Sequence, residues 1–484
     1  MPDRSRRLST VWPSWSKRTD SDPTGLKVFV YEPVSAGQSE ARQHRAAAVL
    51  AAAGCGPGDR VALVAHNAPD VLAWAIGALR VGVVPVMVNP DLLPAEREVI
   101  LEDCEPMLIV TDDGVSPLLD AADLHAWSGS LADVPLARPM HYTSGTTGRP
   151  KGVWSGVLGE EAAAALLAEE RELWGFRPED RNLVCSPMYH SAPLRFATGS
   201  LMAGGSVVVL RKFSPQLAAQ AIHEHAITSA FMAPAHLQRI FELPPAGRPA
   251  FDSFRLLAHA GAPCPSALKR QVLEVFPEGS VWEFYGSTEG QFSACSAADW
   301  LARPGSVGRA RPGRTMSVDP ETGILWCSVP PYARFTYWND PAKTASAWNG
   351  DAFTVFDLGR IDDEGYVYLD GRRDDLLISG GVNVYPLEVE IALAAMPGVK
   401  EVAVFGIDDE RWGTRVCAAV VRSDVSGTSN ISEHIISEHM ILEFASGVLS
   451  AYKRPKRIVF VDAIPKTPTG KVKRSQLATD LGIG

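Results

Sequence analysis

Unbroken apolar runs and helix-patterned segments alternate through the first two-thirds of the chain. Val61 to Ala65 is such a run and predicts a buried strand. Asn67 then caps a helix, Pro69 suits its first turn and Gly82 its end. Val83 to Val88 predicts a second strand, Pro94 to Cys104 a helix and Met107 to Thr111 a third strand. The rhythm returns with strands at Thr228 to Met232, Arg255 to Ala260 and Val281 to Phe284, and with a helix over Pro265 to Phe276. Ala46 to Ala53 and Glu160 to Glu172 are alanine-rich and favour helix. Continuously apolar strands joined by helices predict mostly parallel sheets covered on both faces.

Near residue 374 the pattern changes. Pro386 to Met396 predicts a helix, Glu401 to Phe405 and Arg415 to Val421 strands, Ile431 to Leu449 a helix and Arg457 to Val461 a strand. That reads as a self-contained α+β unit large enough to own a core. The expected architecture is α/β, with a large N-terminal domain over residues 1–373 and a small C-terminal domain over 374–484. A chain of 484 residues is long enough to require more than one core.

Composition narrows the possibilities. Hydrophobic residues make up 46% and charged residues 21%, which fits a globular protein. The net charge of −10 argues against nucleic acid and anionic membrane surfaces as partners. An anionic substrate therefore has to be held by local groups. No apolar run reaches the ~18 residues that span a bilayer. The N-terminal stretch carries Arg4, Arg6, Arg7, Asp20 and Asp22 and no apolar signal segment. The seven cysteines are widely spaced, odd in number and free of any CxxC, so reduced thiols and a cytoplasmic location are expected.

The richest chemistry lies in Tyr142-Thr143-Ser144-Gly145-Thr146-Thr147-Gly148-Arg149-Pro150-Lys151-Gly152-Val153. Glycines let backbone approach a ligand closely, hydroxyls and N–H groups bond phosphate oxygens, and Lys151 adds a mobile positive charge. The order excludes a Walker A loop. The string resembles the phosphate loop of the AMP-forming adenylating superfamily, which holds acyl-CoA synthetases, stand-alone adenylation domains and luciferases.

Five further segments match that superfamily in order, over roughly residues 40–475. In Glu283-Phe284-Tyr285-Gly286-Ser287-Thr288-Glu289, the resemblance implies a nucleotide site that includes Glu283 and Gly286, with Tyr285 on adenine and Thr288 on the α-phosphate. It implies Glu289, helped by Thr143, as Mg²⁺ ligand, and oxygen donors suit that hard cation. Gly261-Ala262-Pro263 would line the adenine and acyl pocket. Asp357 and Arg372 would hold the ribose, and Asp374 would be the hinge of a mobile small domain. Ser379, Gly380 and Gly381 would border the thiol tunnel, and Lys471 would bridge carboxylate and α-phosphate. His190 falls where relatives carry an acyl-pocket histidine, beside Ala260, Gly261 and Gly286. Arg195 has two open readings, a polar group of the substrate or solvent. His434 and His439 lie five apart rather than the four usual for zinc, and read as surface residues.

The resemblance implies an acyl-CoA ligase with ATP, Mg²⁺ and coenzyme A, acting on a carboxylic acid. The small residues Ala258, Ala260, Gly261, Ala262 and Gly286 suggest room for a long or bulky apolar acid. The sequence also departs from the pattern. Phe356 stands before Asp357 where relatives usually have glycine, and Ile324 stands where they usually have glutamate. Two alternatives follow. One is an enzyme that only thioesterifies acyl-AMP made by a partner adenylating enzyme. The other is a stand-alone adenylation domain that loads a carrier protein.

Overall fold

A computed structural model describes residues 30–143, 150–372, 375–379, 382–409, 413–423, 436–466, 472 and 474–483. The large N-terminal domain is built on two mostly parallel sheets. In the first, five parallel strands run in the order Ser206–Val209, Arg181–Val184, Ser229–Met232, Leu256–His259, Val281–Gly286. Val34–Ser35 closes one edge antiparallel; Gln291–Ser296 and Arg309–Ala310 close the other. In the second, Leu108–Thr111, Arg60–Val64, Val84–Val88 and Met140–Thr143 are parallel, and Lys151–Trp154 and Thr336–Tyr337 add antiparallel strands. The expected strands thus appear within a residue or two, and the helix Pro94–Cys104 matches at both ends. Valine-rich runs without polar residues can only be sheet interiors covered on both faces, and Val84–Val88 is buried along its whole length.

Two local expectations need correction. Asn67 does not cap the helix Pro69–Arg80, whose N-cap is Ala68 without a side-chain bond. The Asn67 amide instead donates to the carbonyls of Ser186 and Leu210 at 3.0 and 3.1 Å, and its oxygen accepts from Met188 N–H at 2.8 Å. Three buried backbone groups of distant segments outcompete one local helix N–H, because unpaired buried groups are costly. The helix expected over Ile431 to Leu449 begins at Glu438, capped by the Ser437 hydroxyl. Residues 431–435 lie outside the described residues, and buried Ile436 precedes the helix.

In the small C-terminal domain, the strands Val399–Asp409 and Gly413–Arg422 form a long antiparallel pair. Arg457–Phe460 adds in parallel to the second, and Leu377–Ser379 with Val382–Val384 extends the other side. Two apolar cores, one around Val404, Val416 and Ile441 and one around Phe405, Cys417 and Leu477, use only residues after 376. The remaining cores use only residues before 370, so each part closes its own interior. All seven cysteines carry free thiols. Among the described residues no helix is long and apolar enough to cross a membrane.

Candidate active site

The strands on either side of the phosphate-loop segment pair in the second sheet. Thr143 pairs with Lys151 across antiparallel strands, so the loop leaves and returns at one point. Both flanking residues are half-buried. Ser144, Gly145, Thr146, Thr147 and Gly148 lie outside the described residues. The first sheet supplies Tyr285, Gly286, Thr288 and Glu289 from the end of Val281–Gly286 and the turn after it, where Ser287 N–H donates to the Gly290 carbonyl at 2.8 Å. Gly261 sits at φ +93° on the neighbouring strand end, with open space where a side chain would stand. Ala262 and Pro263 are exposed there too. Strand ends of a parallel sheet are where α/β proteins place their ligands.

Two expected nucleotide contacts touch each other. The Tyr285 hydroxyl donates to Asp357 Oδ2 at 2.7 Å, and the Tyr285 ring stacks on Phe292 at 4.5 Å and 13°. Asp357 is the register partner of Arg372 in a two-stranded ribbon, Asp357–Ile361 with Val367–Arg372. The adenine and ribose motifs therefore meet at one place. Phe356, just before Asp357, has φ +63°. The backbone keeps a left-handed turn suited to glycine, although an L side chain there costs about 1–2 kcal/mol. Its N–H donates to Thr354 Oγ1 at 2.9 Å, and the Lys343 ammonium lies 5.1 Å from its ring.

This strain gives a direct test. Phe356→Gly removes ~1–2 kcal/mol of strain but loses the Lys343 contact and adds ~0.5–1 kcal/mol of unfolded-chain entropy. Stability is expected to stay within about 1 kcal/mol of the parent. Phe356→Ala keeps the strained Cβ and loses the ring, so it should unfold at lower denaturant than Phe356→Gly. Midpoints of urea unfolding decide, and an alanine variant as stable as the glycine one would show that no strain is stored here.

Glu289 is buried and its Oε1 accepts from the Tyr337 hydroxyl at 2.9 Å. Tyr337 is held on Thr336–Tyr337, beside the strand that follows the phosphate loop. Among the described residues no group of three acidic, histidine or cysteine ligands exists for a metal. One carboxylate with a hydroxyl from Thr143 fits Mg²⁺, which takes few protein ligands and completes its shell with phosphates and water. Glu283 is a different case. Its carboxylate faces buried Lys269 at 3.3 Å, and Lys269 also contacts His259 Nε2. Burial raises the Glu283 pKa and Lys269 opposes that rise. The Glu283 side chain is thus internal structure, leaving its backbone for any ligand.

Of the small residues, Ala258 and Ala260 do not leave the volume expected of them, whereas Gly261 and Ala262 stay open. Ala258 and Ala260 pack in a cluster with Trp174, Phe176, Phe196, Phe231 and Phe284, which fills the space beside their missing side chains. The void opens elsewhere. A cavity of about 140 Å³ lies between the helices Glu160–Trp174 and Ser191–Met202 and the turn after Thr288. Arg138, His141, Ser155, Glu170, Arg195 and Thr288 are among its walls. His190 precedes the second helix, half-buried, with its ring 4.6 Å from that of Tyr189. His141 donates from Nδ1 to the Tyr189 carbonyl at 3.0 Å and stays neutral, because burial lowers its pKa to about 4.

Sequence reading missed most of these wall residues. Arg138, Glu170, Gln291 and the pair Arg311 and Arg314 come from separate segments and form no known motif. Arg195, left open between substrate and solvent, turns inward to Glu170 at 3.3 Å. Ser379 is buried at the end of Leu377–Ser379, paired with Val382 and Gly413. Gly380, Gly381, Asp374 and Lys471 lie outside the described residues, as does the Arg372 side chain; His434 lies outside them as well.

Comparison with known proteins fits this arrangement. The AMP-binding enzyme family matches residues 17–137 and 138–328, and the AMP-binding enzyme C-terminal domain matches residues 388–471. The chain is 32% identical to the long-chain-fatty-acid–CoA ligase FadD13 of Mycobacterium tuberculosis, over 91% of this chain and 92% of that one. It is 32% identical to the fatty acid–[acyl-carrier-protein] ligase ScoC of Streptomyces coeruleorubidus, over 97% and 96%. The ATP-bound structure of MatB from Rhodopseudomonas palustris superposes with a TM-score of 0.79 at 29% identity, over 92% of this chain and 93% of that one. With the family matching well over half its length and the Tyr285 and Asp357 motifs meeting at one strand end, the chain belongs to the AMP-binding enzyme family, the AMP-forming adenylating enzymes.

Proposed function

We propose that the protein is an AMP-forming acyl-CoA ligase, joining a carboxylic acid to coenzyme A through an acyl-adenylate. The observation that carries this reading is the Tyr285–Asp357 hydrogen bond. It locks the strand end that would face adenine to the carboxylate that would hold the ribose. A carboxylate is a poor electrophile, so the acid has to be activated first. Its oxygen attacks the α-phosphorus of ATP, the bond to the β-phosphate bridge breaks, and pyrophosphate leaves. The thiol of coenzyme A then attacks the acyl carbonyl, loses its proton, and AMP departs. In the first step Thr143, Thr288 and the phosphate-loop donors hold the phosphates, and Lys471 bridges the acid and the α-phosphate. Glu289 and Thr143 would hold Mg²⁺, and the bound ion would supply charge neutralisation at the phosphates. Ser379, Gly380 and Gly381 border the thiol's path in the second step. Rotation of the small domain about Asp374 separates the two steps, so that one cavity serves both.

The reading in which the chain only thioesterifies a supplied acyl-AMP rested on departures that include Ile324 and, foremost, Phe356 beside the ribose carboxylate. The left-handed backbone at Phe356 favours the full reaction instead, because the chain accepts strain there and keeps the path of a glycine. ScoC transfers to a carrier protein, which keeps a protein thiol as the second candidate acceptor. Pyrophosphate release from ATP and an acid, followed by thioester formation with coenzyme A or a phosphopantetheinyl carrier, tests all three. Pyrophosphate release and a coenzyme A ester are expected. Thioester formation only from added acyl-AMP would replace this reading with the narrower one.

A further inference from the structure

The cavity beside Thr288 carries more positive charge than the ligase reaction asks of it. Arg138, Arg195, Arg311 and Arg314 all line it. Facing them are Glu170, Glu169 and, at the Thr288 end, Glu289, so four guanidiniums meet three carboxylates. Glu170 is fully occupied. It takes Arg311 at 2.8 Å, Arg195 at 3.3 Å and Trp174 Nε1 at 3.1 Å. Glu169 is engaged by Arg314 at 2.8 Å and by the Tyr332 hydroxyl. Arg311, only 3% exposed, also donates to Gln291 at 2.6 Å, and its Nε has no hydrogen-bond partner.

Arg138 is the group left over. It donates to Ser155 Oγ at 2.6 Å and to the carbonyls of Glu289, Ala333 and Arg334 at 3.2–3.4 Å. Every one of these acceptors is neutral. Burial and repulsion from Arg195 and Arg314 push its pKa down to about 10, against the weaker pull of Glu170 and Glu289. Arg138 is half-buried, and a charge held there against neutral acceptors alone is costly, so a fold keeps one most readily where a ligand supplies the counter-charge. Leu79, Ala137, Val153, Leu166, Leu194 and Phe353 give the wall an apolar stretch, beside neutral polar His141, Ser191, Thr198 and Gln291. At about 140 Å³ the space far exceeds one water, which needs ~10–15 Å³.

We propose that this cavity is the subsite for the far end of the acid, and that the acid carries a second anionic group, most simply a distal carboxylate, received by Arg138. The proposal rests on the ligase reading, which places the reacting carboxylate at Thr288, the residue shared by the cavity and the phosphate site. An apolar body would lie along the leucines and Phe353, and the distal carboxylate would end among the guanidiniums. A guanidinium can then form a charge-assisted pair in a dry site, about twice as strong as a neutral hydrogen bond.

The test uses the full chain and a series of straight-chain dicarboxylates from succinate to sebacate, each beside the monocarboxylate of equal length. Binding is measured by calorimetry with and without a nonhydrolysable ATP analogue, and pyrophosphate release is measured separately. At least one dicarboxylate should bind about ten-fold or more tighter than its monocarboxylate partner. Arg138→Gln should erase that ratio, and Arg138→Lys, which keeps the charge, should retain part of it. Equal binding of every matched pair by the wild-type protein overturns the proposal, whether or not any variant folds. A ratio that survives in folded Arg138→Gln also overturns the assignment to Arg138. A binding preference without pyrophosphate release counts against the ligase reading and leaves the subsite standing.

Discussion

Replacing Lys471 by alanine is expected to lower ATP-dependent pyrophosphate release by at least about 100-fold, the usual scale for losing one transition-state donor. Thioester formation from supplied acyl-AMP should change only a few-fold. The reasoning starts from charge. Negative charge crowds the α-phosphoryl group and the attacking carboxylate in the first step, and a lysine bridging the two is worth most at that moment. In the second step the acyl–phosphate bond already exists, and the electrophile is the carbonyl. Lys471 itself lies outside the described residues, but its setting is visible. Lys466 and Val472 pair in an antiparallel bridge, so the segment between them is pinched at its base. Lys466 is anchored by an ion pair to Glu401 on the long hairpin of the small domain. Stopped-flow measurement of the two half-reactions checks this, and equal loss of both would remove Lys471 from the adenylation step.

The second large effect concerns stability. Lys269→Met is expected to destabilise the fold by about 3–5 kcal/mol, the cost of breaking one side of a buried ion pair. Lys269 is 0% exposed, and its ammonium serves both Glu283 and His259. His259 is neutral, because burial and the adjacent Lys269 charge hold its pKa well below the usual imidazole value. Its Nε2 therefore accepts. Removal of Lys269 leaves the Glu283 carboxylate buried with its main counter-charge gone. The double variant Lys269→Met with Glu283→Gln, which removes the stranded charge, should recover much of the loss. The pH dependence has a definite sign. Burial already raises the Glu283 pKa above 4.5, and Lys269 restrains it. In Lys269→Met the folded pKa rises further, so the folded state binds the proton more tightly than the unfolded one. The deficit should shrink as pH falls through the raised folded pKa toward 4.5, and should be complete above it. A flat deficit across that window would show that lost packing, not stranded charge, is the cause. Function follows, because Glu283 sits in register with His259 and two residues before Tyr285, whose hydroxyl holds Asp357.

Much of this molecule was legible in one dimension. Val61 to Ala65 and Val83 to Val88 read as buried strands because unbroken apolar runs have no other stable setting, and Pro94 marked its helix start through a fixed φ and a missing donor. The phosphate loop and the Tyr285, Asp357 and Lys471 motifs are local strings whose residue types carry their own chemistry. The sequence by itself thus determined the fold class, the place where the chain's pattern changes and the family of reaction. What it did not determine depended on meetings between distant segments. Asn67 looks like a cap until Ser186, Met188 and Leu210 arrive beside it. Ala258 and Ala260 look like open space until five aromatic rings fill it. Arg138, Glu170, Arg195 and the pair Arg311 and Arg314 lie far apart along the chain, with no spacing to connect them. Only the tertiary structure decided which charges share a wall, because burial, and with it the cost of an unpaired charge, is a property of packing in three dimensions.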